Sequence, residues 1–299
     1  MSEHVVNLPV SVLHRLRNKA RAEGRNPQEI LRYYAIERFL YRLAQSDYAE
    51  QFVLKGALIF LAWGFDLARP TRDIDLAGFA PANVETVSRI MREVCRTAVI
   101  ADGMEYEADS VRGAIIREGA RYLGVRISID CALGKARSPI HIDIGAGDAI
   151  TPDVMHVRYP TLIEMPAPEL RGYPPETVVA EKVEAMVTLG VINSRMKDFY
   201  DVWLITRRLD LEGSILQQAI QATFHRRRTS LPTQLPPAFT DGFASDKQAM
   251  WNAFIARNMP ALDAPSDFHT VVTALREFVA PLFTPSIVHG KWSADQGWR

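Results

Sequence analysis

The sequence predicts an α+β (α/β) fold, in which N-terminal helices precede a mixed sheet and a helical bundle follows it. Apolar residues recur at helical spacing near the start of the chain, for example at Ile30, Tyr34 and Phe39. Polar and apolar residues alternate at 125–130 and again at 140–144, which is typical of strands. Helical spacing returns at 176–189, 197–209 and 214–225, so the second half of the chain is predicted to be helical.

Four regions follow from these patterns. Residues 1–50 are predicted as an N-terminal helical segment, 51–165 as the core, 166–290 as a helical C-terminal domain and 291–299 as a flexible tail. Clustered prolines between 160 and 175 mark the passage from the core to the helices. The tail is predicted to be flexible because it carries few apolar signals.

Composition excludes several classes of protein. Of 299 residues 47% are hydrophobic, which suffices for a sizeable core. Cys95 and Cys131 are the two cysteines, so neither a disulfide framework nor a cysteine metal site is expected. The start of the chain does not resemble a signal peptide, and no apolar run is long enough to span a membrane. We therefore expect a cytoplasmic protein without membrane contact.

Charge limits how the protein can meet nucleic acid. Lys+Arg and Asp+Glu number 35 each, so any contact with RNA must come from a local cluster rather than from an overall basic field. The densest basic run is Arg226, Arg227 and Arg228. It would suit the backbone of an RNA, since phosphate contacts need no sequence readout. A charged helix end is the alternative interpretation.

The segment Asp73-Ile74-Asp75 predicts a metal site. Side chains alternate between the faces of a strand, so both carboxylates would lie on one face while Ile74 enters the core. Two close carboxylates repel each other, and a divalent cation or basic partners offset that cost. An Asp-x-Asp pair is also common on turns, however, and the pair alone does not decide the function.

A third carboxylate strengthens the prediction. Asp143 lies in an alternating run, 140–144, that a loop at 134–139 joins to the run 125–130, so a hairpin is expected. Asp73, Asp75 and Asp143 on neighbouring strands would hold Mg²⁺ or Mn²⁺, with two ions for phosphoryl transfer. Gly56, before a predicted helix, would offer backbone N–H groups to phosphate oxygens.

Together these motifs resemble the nucleotidyltransferase superfamily and, more narrowly, the AbiEii/MenT family of nucleotidyltransferase-like toxins from bacterial toxin–antitoxin and phage-abortive systems. The segments that carry the resemblance are 54–58, 72–76, 179–185 and 195–204. The resemblance implies a nucleotidyltransferase-like core that transfers a nucleoside monophosphate from an NTP to an acceptor hydroxyl. It further implies an RNA acceptor, with tRNA 3′ ends as the leading candidate, and growth arrest controlled by a cognate antitoxin.

The resemblance also implies roles for residues in the second half of the chain. Lys182 would contact the triphosphate, while Asp198 and Asp201 would orient Lys182, the nucleotide or the acceptor. The alternatives are a solvated lysine paired with a neighbouring glutamate, and aspartates that favour a helix N-terminus. Ala57 departs from the family, which commonly has glycine or serine there, so a hydroxyl contact to phosphate is lost.

Further basic and polar residues near the glycine and the Asp-x-Asp segment are candidates for nucleotide binding. These are Lys55, Arg69, Thr71 and Arg72. Surface exposure is the alternative for the arginines, and Arg72 would face away from Asp73 if the strand begins there. His141, next to the Asp143 strand, is interpreted as a hydrogen-bonding residue rather than a transition-metal ligand.

Two other classes of function stay open. A two-metal nuclease or phosphodiesterase would use the same carboxylates but has little need for Gly56 and Lys182 at a triphosphate. A catalytically silent nucleotide-binding interaction module is favoured by Ala57 alone. Dependence on an NTP separates the first from a transferase, and NTP binding without turnover would identify the second.

Overall fold

The computed structural model describes residues 7–65, 71–78, 83–118, 122–147, 149–258, 264–284 and 286–299. The chain divides into two compact units. The first comprises Met1–Asp66, Thr71–Gly147 and Met155–Gly172, and the second comprises Leu67–Pro70, Asp148–Val154 and Tyr173–Arg299. The N-terminal helices thus belong to the same unit as the sheet, and the main division follows Gly172 rather than residue 165.

Three of the four helices described in the first unit begin at a capping asparagine. The four helices are α1 (Leu8–Ala22), α2 (Pro27–Ala44), α3 (Leu58–Ala62) and α4 (Val84–Cys95). Asn7, Asn26 and Asn83 each accept a hydrogen bond from a backbone N–H of the first turn. Pro27 at the start of α2 costs no helical hydrogen bond, because the first N–H groups have no partner within a helix.

Ten strands are described in the first unit. They are β1 (Phe52–Lys55), β2 (Asp73–Gly78), β3 (Met104–Tyr106), β4 (Arg112–Glu118), β5 (Tyr122–Ile129), β6 (Cys131–Leu133), β7 (Ala136–Arg137), β8 (Ile140–Ala146), β9 (Met155–Arg158) and β10 (Glu169–Gly172). Seven form a mixed sheet in the order β4-β5-β8-β2-β1-β10-β9, and β3-β6-β7 form a smaller one. The β2–β8 and β1–β10 pairs are parallel, and the others in the large sheet are antiparallel.

The predicted pairing of 125–130 with 140–144 is confirmed, because β5 and β8 are antiparallel neighbours. Their connection contains more structure than a loop, since β6 and β7 pair within it and β6 also pairs with β3.

One face of the large sheet is apolar. Ile74, Ile142 and Ile127 are register partners on β2, β8 and β5, and all three are buried. Helix α4 packs so closely on this face that a Cβ added to Gly113 of β4 would lie 2.6 Å from Ser88 Oγ. Side chains one residue away along each strand therefore project from the opposite face, where the charged residues lie.

The second unit is mainly helical, as the spacing predicts. Its elements are α5 (Pro175–Leu189), α6 (Met196–Arg208), β11 (Leu211–Glu212), α7 (Gly213–Arg227), α8 (Asp241–Asn258), α9 (Phe268–Val279), β12 (Lys291–Ser293) and β13 (Gly297–Trp298). Aromatic rings fill its core: Phe199 stacks on Phe243 with centroids 5.5 Å apart, and Trp251 stacks on Phe268 at 4.9 Å. No helix in the described part of the chain is both long and apolar enough to cross a membrane.

The C-terminal residues differ from their prediction as a flexible tail. Strands β11, β12 and β13 form a small antiparallel sheet. The indole N–H of Trp292 donates to the Thr206 carbonyl at 2.8 Å, and that of Trp298 to the Phe278 carbonyl at 3.0 Å. Two tryptophans with satisfied N–H groups supply the apolar contact area that holds this segment. Their presence at 292 and 298 was the sequence signal for order.

Candidate active site

Four charged residues lie side by side across the polar face of the large sheet. Asp75 of β2 is the register partner of Lys55 on β1 and of Asp143 on β8. Asp143 is in turn the register partner of Arg126 on β5. Register partners project from the same face, so Lys55, Asp75, Asp143 and Arg126 form a charged row. Asp73, two residues before Asp75, shares this face, as predicted.

Gly56 lies directly against the charged row. A Cβ placed on Gly56 would lie 2.0 Å from Asp75 Oδ2 and 2.6 Å from its Cγ. The backbone φ of Gly56 is +68°, a conformation that residues with a side chain rarely adopt. Glycine is therefore required here both for the turn after β1 and for the close approach of the Asp75 carboxylate.

Arg126 is a site residue that sequence analysis missed. Its Nε and Nη2 donate to the two carboxylate oxygens of Asp143 at 2.7 and 2.6 Å, and Nη2 lies 3.8 Å from Asp73 Oδ2. The hydrogen bonds to Asp143 raise the pKa of Arg126 above its usual value despite partial burial, so the guanidinium stays charged. The alternation at 125–130 indicated the face on which Arg126 lies. Its pairing with Asp143 could not be read from the sequence, because it depends on the register of β5 against β8.

A second polar row lies beside the first. Asp73 is the register partner of His141, and His141 is the register partner of Ser128. Ser128 Oγ and His141 Nδ1 form a hydrogen bond of 3.0 Å, in which the donor depends on the histidine tautomer. The interpretation of His141 as a hydrogen-bonding residue is therefore confirmed.

Two of the carboxylates, Asp73 and Asp75, suit a divalent cation. No group of three or more His, Cys, Asp or Glu side chains in the described ranges is arranged to hold a metal ion. Asp143, the third carboxylate of the predicted set, has both of its oxygens engaged by Arg126. Mg²⁺ commonly uses one or two carboxylates and completes its shell with phosphate oxygens and water. Asp73 and Asp75, with hard oxygen donors on one face, suit that kind of site.

The other residues predicted near the nucleotide differ in their positions and contacts. Ala57 precedes the short helix α3 and makes no side-chain cap. The N–H of Thr71 donates to Tyr33 Oη at 2.9 Å, and its hydroxyl donates to the Asp73 carbonyl at 3.3 Å. Thr71 therefore supports the start of β2. Arg72 is exposed, and Arg69 lies outside the described residues.

In the second unit, Lys182 on α5 is held by two carboxylates of α6. Its Nζ lies 2.8 Å from Asp198 Oδ1 and 2.8 Å from Asp201 Oδ2. Asp198 also pairs with Arg195 at 2.6 Å. Burial alone would raise the pKa of Asp198, but Lys182 and Arg195 outweigh it and lower the pKa. Asp198 and Asp201 thus hold the Lys182 ammonium, and a contact of Lys182 with nucleotide stays a prediction.

The basic run at the end of α7 is divided between two roles. Arg227 pairs with Glu184 at 2.9 Å and with Glu181 at 3.6 Å, so it is a structural residue of the second unit. Burial would raise the pKa of Glu184, yet hydrogen bonds from Thr229, Thr188 and Arg227 lower it. Arg226 and Arg228 are exposed, and Arg228 caps α7 with a left-handed φ of +53°.

Comparison with known protein families identifies the family of this chain. The family model described as "Nucleotidyl transferase AbiEii toxin, Type IV TA system" matches residues 38–277. The chain belongs to the AbiEii family. The AbiEii match spans the charged row and Lys182, and it confirms the resemblance inferred from the motifs. An AbiEii protein is a nucleotidyltransferase toxin of a type IV toxin–antitoxin system, which implies a nucleotide substrate and an antitoxin partner.

Two solved structures are similar to this AbiEii chain. JHP933 from Helicobacter pylori has a TM-score of 0.49 and 13% identity, covering 86% of this chain and 95% of that one. A candidate nucleotidyltransferase from H. pylori has a TM-score of 0.47 and 15% identity, covering 86% of this chain and 98% of that one. No curated protein sequence matches.

Proposed function

We propose that this AbiEii protein transfers a nucleoside monophosphate from an NTP to a hydroxyl of RNA, with the 3′ end of a tRNA as the leading acceptor. The observation that carries the proposal is the contact between Gly56 and Asp75, which brings the glycine turn and a carboxylate pair to one place. Backbone N–H groups of a glycine turn next to carboxylates that could bind a divalent cation are what NTP chemistry requires. Growth arrest, relieved by an antitoxin, is the physiological consequence.

The residues of the charged row have separate roles in this proposal. Asp75 of the charged row and the adjacent Asp73 would hold Mg²⁺ or Mn²⁺, which would neutralise charge on the triphosphate. Lys55 is buried opposite Asp75 and keeps the electrostatic potential of the row from becoming strongly negative. The RNA hydroxyl attacks the α-phosphorus and gives up its proton to water, the bond between that phosphorus and the oxygen bridging to the β-phosphate breaks, and pyrophosphate leaves. A reducing, cytoplasmic location suits the buried thiols of Cys95 and Cys131.

The proposal is tested by incubating the purified protein with each labelled NTP, total RNA and Mg²⁺ or Mn²⁺. We expect label in RNA and release of pyrophosphate, both lost with chelator. Shortened RNA in the absence of NTP would identify a nuclease or phosphodiesterase instead. Metal-dependent NTP binding without labelled RNA or pyrophosphate would identify a silent binding module.

Lys182 offers a prediction that separates a nucleotide contact from a structural charge. Lys182→Met alone should lower stability by about 3 kcal/mol, because Asp198 and Asp201 would keep buried charges. The informative variant therefore combines Lys182→Met with Asp198→Asn and Asp201→Asn, which neutralises the cluster. We expect this triple variant to fold but to lose NTP affinity and transfer, measured by calorimetry and label incorporation.

The control is the double variant Asp198→Asn and Asp201→Asn, which retains Lys182. It should bind NTP more tightly than the triple variant. Equal NTP affinity in the two proteins would show that Lys182 serves packing and charge balance within its own unit.

RNA binding is expected to depend on Arg226 and Arg228. Replacing them as Arg226→Gln and Arg228→Asn keeps polar side chains, and Asn tolerates the left-handed φ at 228. Loss of two phosphate contacts should weaken RNA binding and reduce the slope of log K against log salt by about 1.4 for single-stranded RNA. NTP affinity should not change. A slope equal to that of the wild type would place the RNA contact elsewhere.

Arg227 is left in place in that experiment for a physical reason. Its removal would leave the buried Glu184 carboxylate without its cation and cost about 2 kcal/mol of stability. Arg227→Ala is therefore expected to lower the melting temperature of the protein, whereas the Arg226→Gln and Arg228→Asn variant is not.

A further inference from the structure

We propose that Arg126 takes the place of a second metal ion, so that the site binds one divalent cation, at Asp73 and Asp75, while Asp143 anchors Arg126. This inference rests on the proposed function, since it concerns how the same site balances charge during nucleotide transfer. It assigns Asp143 a positioning role in place of the metal-ligand role expected from the sequence.

The contacts of Asp143 support this assignment. Both of its carboxylate oxygens accept hydrogen bonds from Arg126, from Nε at 2.7 Å and from Nη2 at 2.6 Å. A bidentate pair of this kind matches the planar fork of a guanidinium. A metal ion on Asp143 would have to displace at least one of these bonds. The register of β5 against β8 holds the two residues opposite each other, so the backbone itself favours the pair.

The solvent exposure of the carboxylates also favours Asp73 over Asp143 as a ligand of the cation. The side chain of Asp143 is 12% exposed, whereas those of Asp73 and Arg126 are 37% and 44% exposed. A cation arriving from solvent therefore meets Asp73 more readily than Asp143. The Arg126 guanidinium, 3.8 Å from Asp73 Oδ2, places a permanent positive charge beside the proposed cation site.

Charge balance also favours one ion. Asp73, Asp75 and Asp143 together with Lys55 and Arg126 sum to one net negative charge among these five side chains. One divalent ion reverses the sign and prepares the surface for a triphosphate. Before the nucleotide binds, a second divalent ion would have to bind against that positive charge. A resident guanidinium supplies a permanent charge that does not depend on the ion concentration.

The test counts Mn²⁺ bound per chain by equilibrium dialysis with an NTP analogue that carries an imido bridge between the α- and β-phosphates. We expect one ion in the wild type and in Asp143→Asn, and two in Arg126→Ala. Removing Arg126 frees the Asp143 carboxylate to bind the second ion. The double variant Arg126→Ala with Asp143→Asn lacks that carboxylate and should therefore bind one ion again. Arg126→Lys, which keeps the charge, should bind one ion. Melting curves identify any variant that fails to fold, and Arg126→Gln, which also removes the charge and should bind two ions, replaces Arg126→Ala if that protein does not fold.

Two ions in the wild type, falling to one in Asp143→Asn, would overturn the role of Arg126 and make Asp143 a metal ligand. That outcome would leave the proposed function intact, provided that labelled NMP still enters RNA. An unchanged count of one ion in Arg126→Ala would also overturn the inference. No bound ion in the wild type would overturn both this inference and the metal-dependent part of the proposed function.

Discussion

Asp75→Asn is expected to reduce nucleotide transfer by roughly 10³-fold or more while the protein still folds. The substitution keeps the size of the side chain beside Gly56, so the close contact at that position is preserved. It removes the negative charge that faces Lys55 on one side and Asp143 on the other. The proposed cation site would then retain Asp73 alone. Label incorporation over a Mn²⁺ and Mg²⁺ titration measures the loss.

Asp130→Asn is the matched control. Asp130 follows β5, four residues after Arg126, and pairs with Arg112 at 3.4 Å, and both side chains are exposed. It should transfer nucleotide at the wild-type rate. A folded Asp75→Asn protein with near-normal activity, at any metal concentration, would refute the assignment of Asp75 to the cation.

Gly56→Ala is expected to reduce transfer by roughly 10²-fold, through geometry rather than charge. The new Cβ would overlap the Asp75 carboxylate, whose nearest atom lies 2.0 Å away, so Asp75 must move. Displacement of a reacting group by about 1 Å can cost on the order of 10²-fold in rate. The φ of +68° adds about 1 kcal/mol of backbone strain.

Gly24→Ala separates these two effects. Gly24 has a similar φ of +62°, yet a Cβ there would have nothing within 4 Å. This control should lose about 1 kcal/mol of stability and keep full transfer activity. Measuring unfolding free energy and label incorporation for both variants isolates the overlap with Asp75. Equal activity of Gly56→Ala and Gly24→Ala would show that the position of Asp75 does not limit the reaction.

Local spacing predicted much of the fold and part of the site. The alternation at 73–75 placed two carboxylates on one face, and the alternation at 125–130 and 140–144 predicted strands that do pair. Helical periodicity located α5, α6 and α7 to within a few residues. These features could be predicted because they depend only on residues close together in the sequence. Backbone geometry sets the periods of the helix and the strand.

The C-terminal segment and the basic run show where such reasoning fails. Residues 291–299 look sparse in isolation, but Trp292 and Trp298 find carbonyl partners in Thr206 and Phe278. Arg227 belongs to an arginine cluster by sequence, although its charge is used by Glu184 on another helix. Burial and pairing with distant residues decide both cases, and neither is encoded in spacing.

The sequence by itself determined that this protein carries an Asp-x-Asp strand, a glycine turn before it and a lysine-bearing helix after it. Only the tertiary structure decided which charges meet. Lys55, Asp75, Asp143 and Arg126 lie on four strands, and their alignment depends on the register of each strand pair. A shift of one residue would send any of them to the apolar face. Register depends on how the whole sheet packs, and so the partner of Asp143 emerged from the fold rather than from the motif.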